Sequence, residues 1–173
     1  FKIVEDETED YEFKEIPVTV PGQYAEAESD NAAPAVLPEL QEWKGDTGSF
    51  TLTGSSRIVY DSEELKAAAD EMAADFLDLT GREISVVSGD ASSVQAGDFF
   101  FTMTDDTTLG LMDEGYLMDI SDSITVTSET ETGAYWATRT ILQALKQSDY
   151  TTIPQGITRD YPLYKVRGFI LDV

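Results

Sequence analysis

Any chemistry in this chain has to be carried by carboxylates, arginine, lysine or tyrosine, because its 173 residues include neither histidine nor cysteine. Their absence removes Ser-His-Asp and Cys-His nucleophile pairs, imidazole acid–base catalysis, HExxH zinc sites and thiolate metal ligands together. No cofactor and no metal is expected. Acids are abundant, 34 Asp and Glu against 11 Lys and Arg. Asp105-Asp106 and Asp113-Glu114 are adjacent carboxylates of the type that divides between acid and nucleophile in glycoside cleavage. In so acidic a chain such pairs arise by chance, and they read as loop residues. The Asp/Asn-rich loops lack the D-x-D-x-D-G spacing of a calcium hand. Tyr135, Trp136 and the run Phe99–Phe101 have faces on which a sugar could stack, but their setting reads as helix and strand core. The closing segment "YKVRGFILDV" carries an arginine, Arg167, and an aspartate, Asp172, among apolar residues; a guanidinium is a planar fork of donors.

A formal net charge of −23 excludes the clustered Lys and Arg that a phosphate backbone requires, so nucleic acid is not an expected partner. It also disfavours anionic membrane surfaces, and no run of 18 apolar residues spans a bilayer. With 41% hydrophobic and 10% aromatic residues the chain is globular, long enough for one domain plus a flank. The acidity is that of extracellular or cell-surface proteins, the location expected here. Phe1 is not an initiator methionine, and further sequence is expected upstream.

The elements that position these residues follow from periodicity. Between Phe1 and Ala33 ten acidic residues face two basic ones, in runs such as "EDETEDYEFKE". Residues 1–35 therefore read as an acidic linker or the end of an upstream module, with one short strand at Phe13–Val20. The domain proper spans 36–160. Strands are predicted at Ser49–Leu52, Arg57–Tyr60, Ile84–Val87, Asp98–Thr102, Gly115–Ile120 and Ser123–Thr127, the last two closed by "DISDSI" into an antiparallel hairpin. A helix starts behind Ser62 and runs to Leu79, with Leu65, Ala69, Met72 and Phe76 on one face, widened by Ala68 and Leu79; Gly81 ends it. A second helix covers Thr132 to about Gln147, with Ala134, Thr138, Ile141 and Leu145 on its buried face. "TTIPQGITRDYP" holds one or two short strands. The expected class is α+β, a mostly antiparallel sheet with two amphipathic helices packed on one face.

"GAYWATRTILQAL" followed by "IPQGITRDYPLYKVRGFILDV" resembles glycoside hydrolase family 20, the β-N-acetylhexosaminidases and lacto-N-biosidases. The family's junction pattern D-Y-P-x-[aromatic]-x-x-R-G-x-x-L-D is matched by Asp160, Tyr161, Pro162, Tyr164, Arg167, Gly168, Leu171 and Asp172. "VLPELQEWKGDTGSFTL" and "DEGYLMDISDSITVT" are similar to its opening segment and its Gly-Tyr-x-Leu-x-Ile hairpin, so the resemblance covers Val36 to Val173. It implies a small non-catalytic α+β domain ahead of a (β/α)8 barrel, with residues 161–173 forming the start of that barrel and the chain truncated inside its first strand. It also implies a substrate-assisted retaining mechanism, in which the 2-acetamido oxygen attacks the anomeric carbon. The responsible Asp-Glu pair belongs to a later barrel strand, so no catalytic residue is expected on this chain. Arg167 matches the arginine that clamps hydroxyls of the terminal N-acetylhexosamine. Asp172 is read as a buried structural partner for a cation. The implied partners are the chain's own barrel and, through it, a glycan.

A free-standing carbohydrate-binding or adhesion module is the competing reading; the half-made motif at Tyr161–Val173 speaks against it. A zincin-like peptidase, which uses similar layers, is excluded by the missing histidines and cysteines.

Overall fold

Apolar residues that alternate along short segments must share one sheet face, and the strands obey this closely. In the computed structural model, which describes residues 31–164 and Gly168, seven strands form one sheet: β1 (Glu42–Thr51), β2 (Arg57–Tyr60), β3 (Ser85–Ser88), β4 (Phe99–Met103), β5 (Tyr116–Ile120), β6 (Ile124–Ser128) and β7 (Thr152–Asp160). Tyr116, Met118 and Ile120, Ile124 and Val126, Phe99 and Phe101, and Ile58 and Tyr60 all point to one face and are buried. Against them pack α1 (Lys66–Thr80), through Ala68, Ala69, Met72 and Phe76, and α2 (Glu131–Lys146), through Ala134, Thr138, Ile141 and Leu145. Each large side chain buried in this layer stabilises the fold by roughly 1.5–3 kcal/mol.

The α+β class with both helices on one face therefore holds, and the sheet is mixed. Its order is β1-β7-β5-β6-β4-β2-β3. β2 runs parallel to β3 and β4, and β4 parallel to β6, whereas β5 is antiparallel to β6 and β7, and β7 to β1. Parallel neighbours need a crossover, which α1 supplies between β2 and β3. The link from β3 to β4 crosses β2 on the helix-free face, bringing Gly89 against Val59. That crossing buries Val59 and Phe100 on a face where alternation alone would leave them open.

Local signals hold at most ends. Gly81 terminates α1 at φ +69°, its N–H bonded to the Leu77 carbonyl. Thr130 caps α2 by accepting from the Gly133 N–H. The hairpin closes with Ser121 N–H on the Ser123 carbonyl. Three details depart from expectation. The segment Glu63–Leu65 is a 3-10 turn ahead of α1, and Ser62 makes no side-chain cap bond. Leu79 is 53% exposed, in the open groove beside Arg139 and Gln143. "TIPQGITRD" is a single nine-residue strand, long enough to pair with both β1 and β5. Close approach demands glycine at Gly133, where a Cβ would stand 2.3 Å from the Gly115 carbonyl oxygen. The strand expected at Phe13–Val20 and the terminal strand from Val166 lie outside the described residues.

Candidate functional site

β7 carries the polar constellation of the domain. On a strand consecutive side chains face opposite ways, so Arg159 lies on the helix-free face and Asp160 on the helix face. Arg159 sits opposite Glu42 of β1 and Leu117 of β5. Its side chain is fully buried. Its Nε donates to the Glu42 carboxylate oxygens at 3.2 and 3.1 Å, its Nη2 also binds Glu42, and its Nη1 donates to the Leu109 carbonyl at 3.1 Å. The guanidinium lies 5.3 Å from the Tyr161 ring centroid, and the Tyr161 hydroxyl donates to Glu42 at 3.3 Å. A buried cation is tolerable only when paired and hydrogen-bonded in this way. The loop before β5 closes over it: Leu111 is buried, and the N–H groups of Leu111 and Met112 donate to the Glu129 carboxylate at 3.1 and 3.3 Å.

On the other face Asp160 stands opposite Tyr116. Its Oδ2 accepts from the Tyr116 hydroxyl at 2.9 Å and its Oδ1 from the Gln41 N–H at 3.0 Å. Because a carboxylate only accepts, the Thr140 hydroxyl, 2.6 Å from that of Tyr116, is the donor in the second link. Burial raises the Asp160 pKa above the ordinary carboxylate value, opposed by the bonds from Gln41 and Tyr116. Burial, and then the Asp160 charge, push the Tyr116 phenol well above its usual value, so it remains a donor.

The residues singled out from sequence fall elsewhere. Arg167 and Asp172 lie outside the described residues. Asp106 caps a 3-10 turn, accepting from the Thr108 hydroxyl at 2.6 Å and its N–H at 3.0 Å, and that hydroxyl bond lowers its pKa. The Asp113 carbonyl accepts from Thr130, tying its loop to the start of α2. Phe99 and Phe101 are core, and Phe100 is buried on the opposite face. Tyr135 and Trp136 meet edge-on at 5.2 Å, and Arg139, which pairs with Asp75 across the two helices, lies 4.8 Å over the Tyr135 ring. Trp136 nevertheless stays 41% exposed. Between the helices run two open grooves, one of about 250 Å³ beside Glu71, Glu131 and Tyr135, the other of about 380 Å³ beside Leu79, Arg139 and Gln143. Among the described residues no group of three acids is placed to hold a metal ion, and no helix is long and apolar enough to cross a membrane. Sequence reasoning recognised Asp160, Tyr161 and, within the Gly-Tyr hairpin, Tyr116 as motif residues, but it did not bring them together and missed Arg159 and Glu42. The only available signal was an Arg-Asp pair closing a strand otherwise free of charge.

Residues 33–161 match the family model described as glycosyl hydrolase family 20, domain 2. The lacto-N-biosidase of Bifidobacterium bifidum is 31% identical over 151 residues, which is 87% of this chain and 13% of that enzyme. The fold is similar to that of the GH20 β-N-acetylhexosaminidase of Streptomyces coelicolor A3(2), with a TM-score of 0.61 at 19% identity, covering 79% of this chain and 28% of that one. It is equally similar to the GH20 exo β-N-acetylglucosaminidase of Vibrio harveyi, with a TM-score of 0.63 at 20% identity, covering 83% of this chain and 21% of that one. The chain thus spans a small part of the length of the proteins it matches. The family model covers most of the chain and the curated relative is more than 30% identical, so the chain belongs to glycosyl hydrolase family 20, whose domain 2 its residues 33–161 match.

Proposed function

We propose that this domain is the non-catalytic support of a glycosidase that releases terminal β-linked N-acetylhexosamine, or lacto-N-biose, by a substrate-assisted retaining mechanism. The observation that carries the reading is a family match across 33–161 in a chain spanning 13% of the lacto-N-biosidase it resembles. The engagement of the acids supports it. Acid and nucleophile must flank a common cleft, whereas Asp98 is held by Arg57, Glu42 by Arg159, Asp160 by Tyr116 and Gln41, and Glu129 by two backbone N–H groups. The partner is a catalytic barrel entered through residues 161–173, with Arg167 clamping sugar hydroxyls there and residues 1–35 acting as an acidic linker. The whole protein works outside the cell or at its surface.

The surface offered to the barrel is the outer side of the helix layer. Leu79 lines one interhelical groove, Trp136 is exposed on α2, and Leu37, 82% exposed, is held on α2 by two hydrogen bonds with Gln143. Leu163 and Tyr164, 58% and 67% exposed, continue this apolar character into the junction. A patch of this kind on a small acidic domain is the mark of a covered face. The isolated chain is expected to turn over neither an aryl N-acetyl-β-glucosaminide nor an aryl β-lacto-N-bioside, while the full-length protein hydrolyses one of them. Turnover by the isolated chain would overturn the assignment.

A further inference from the structure

We infer that Asp160 is a positioning residue that sets the direction in which the chain leaves the sheet toward the following domain. The inference rests on the reading that a barrel follows. Backbone pairing between β1 and β7 stops at Glu42 opposite Arg159, so Asp160 has no ladder partner in β1. The next N–H, that of Gln41, bonds the Asp160 carboxylate at 3.0 Å instead. A side chain thus continues the ladder one residue past its end, where strands ordinarily fray. The second carboxylate oxygen takes the Tyr116 hydroxyl of β5, which Thr140 ties to α2. One side chain therefore joins the lead into β1, the neighbouring strand and a helix.

Its neighbours complete a grip from both faces. Arg159 is locked to Glu42 and Leu109 on the helix-free side, and Tyr161 returns to Glu42 on that same side. Three consecutive residues are then bonded on alternating faces, which leaves their peptide planes no freedom to rotate. Pro162 follows, with its own φ held near −65°. The residues after it, Leu163 and Tyr164, are the first exposed ones, so the direction of exit is decided at 159–162. Gln41 belongs to the strap that reaches β1 along α2, where Ala35 bonds Gln147 and Leu37 bonds Gln143. Asp160 accordingly couples the incoming strap to the outgoing junction.

The test uses the full-length protein with one spin label at Thr47→Cys, exposed on the bulge of β1, and one on the following domain, reading the distance distribution between them. Asp160→Ala is expected to broaden that distribution at least twofold while circular dichroism shows the domain folded. Tyr116→Phe and Gln41→Pro, each removing one donor, broaden it less. Thr140→Val, which removes a neighbouring buried bond but leaves the carboxylate's two donors, leaves it unchanged. If Asp160→Ala fails to fold, Tyr116→Phe and Gln41→Pro carry the test. An unchanged distribution in the Asp160 and Gln41 variants, or equal broadening by Thr140→Val, overturns the inference. Loss of the underlying reading is seen separately, as a wild-type full-length protein that hydrolyses neither aryl glycoside.

Discussion

Two arginine–carboxylate pairs are set into the helix-free side of the sheet, and they are built inside out relative to each other. At β2, Asp98 is the buried partner, with 1% side-chain exposure, while Arg57 keeps 27%. At β7 the arginine is the buried one, with 0% against 15% for Glu42. Asp98 can be satisfied largely by its surroundings: the Arg57 and Gln95 N–H groups at 2.9 Å each, the Arg57 Nε at 3.3 Å and Nη2 at 2.5 Å. Arg57 also reaches the Ser93 carbonyl, so the pair closes the 91–98 crossing onto β2. A buried guanidinium has no such economy. It has five donors and no acceptor, and must draw oxygens from separate elements, here Glu42 at the start of β1 and Leu109 in the loop before β5. The first pair fastens a loop; the second fastens opposite ends of the chain, next to the exit.

This difference predicts unequal losses. Glu42→Ala leaves a buried charge without its counter-ion and is expected to cost about 3–5 kcal/mol, enough to unfold much of a marginally stable domain. Urea denaturation of the isolated chain measures it, and Arg159→Met in the same background should recover part of the loss; a cost below about 1 kcal/mol would erase the contrast. Asp98→Ala strands two backbone N–H groups but leaves Arg57 access to water, so the expected cost is smaller, about 1–3 kcal/mol. Hydrogen exchange should show that loss concentrated at residues 89–98, whereas Glu42→Ala loosens β1, β7 and the junction together.

The smallest effect belongs to Asp160, one residue on and facing the other way. Its folded-state pKa is raised, chiefly by burial, so between the ordinary carboxylate value of about 4 and that raised value the folded state binds more proton than the unfolded one. The contribution of this group to stability is full below the ordinary value and is lost as pH rises through the raised one. Asp160→Asn should remove that slope, leaving stability flatter than wild type over the same window. A mutant that retains the wild-type slope would place its origin elsewhere, with Asp119, also raised by burial and by the nearby Asp46 charge, as the alternative source.

How far these features are legible depends on how local they are. The buried face of α2 could be read from Ala134, Thr138, Ile141 and Leu145 because a helix repeats every 3.6 residues, and all four are fully buried. The same rule misplaced Leu79, since periodicity assigns a side chain to a face but does not say whether a neighbouring element closes over it. Arg159 looked like any strand-end arginine, because nothing local announces that the residue 117 positions earlier stands opposite it.

By itself the sequence determined the buried face of α2, the β5–β6 hairpin, the Gly81 cap and the junction motif, all of which rest on patterns within a few residues. The parallel run of β2, β3, β4 and β6, the burial of Arg159 on Glu42 and the grip of Asp160 on Gln41 and Tyr116 were decided only by the tertiary structure. Strand order and charge burial depend on which distant segments come to lie side by side, and alternation along a strand is the same whichever neighbour it receives.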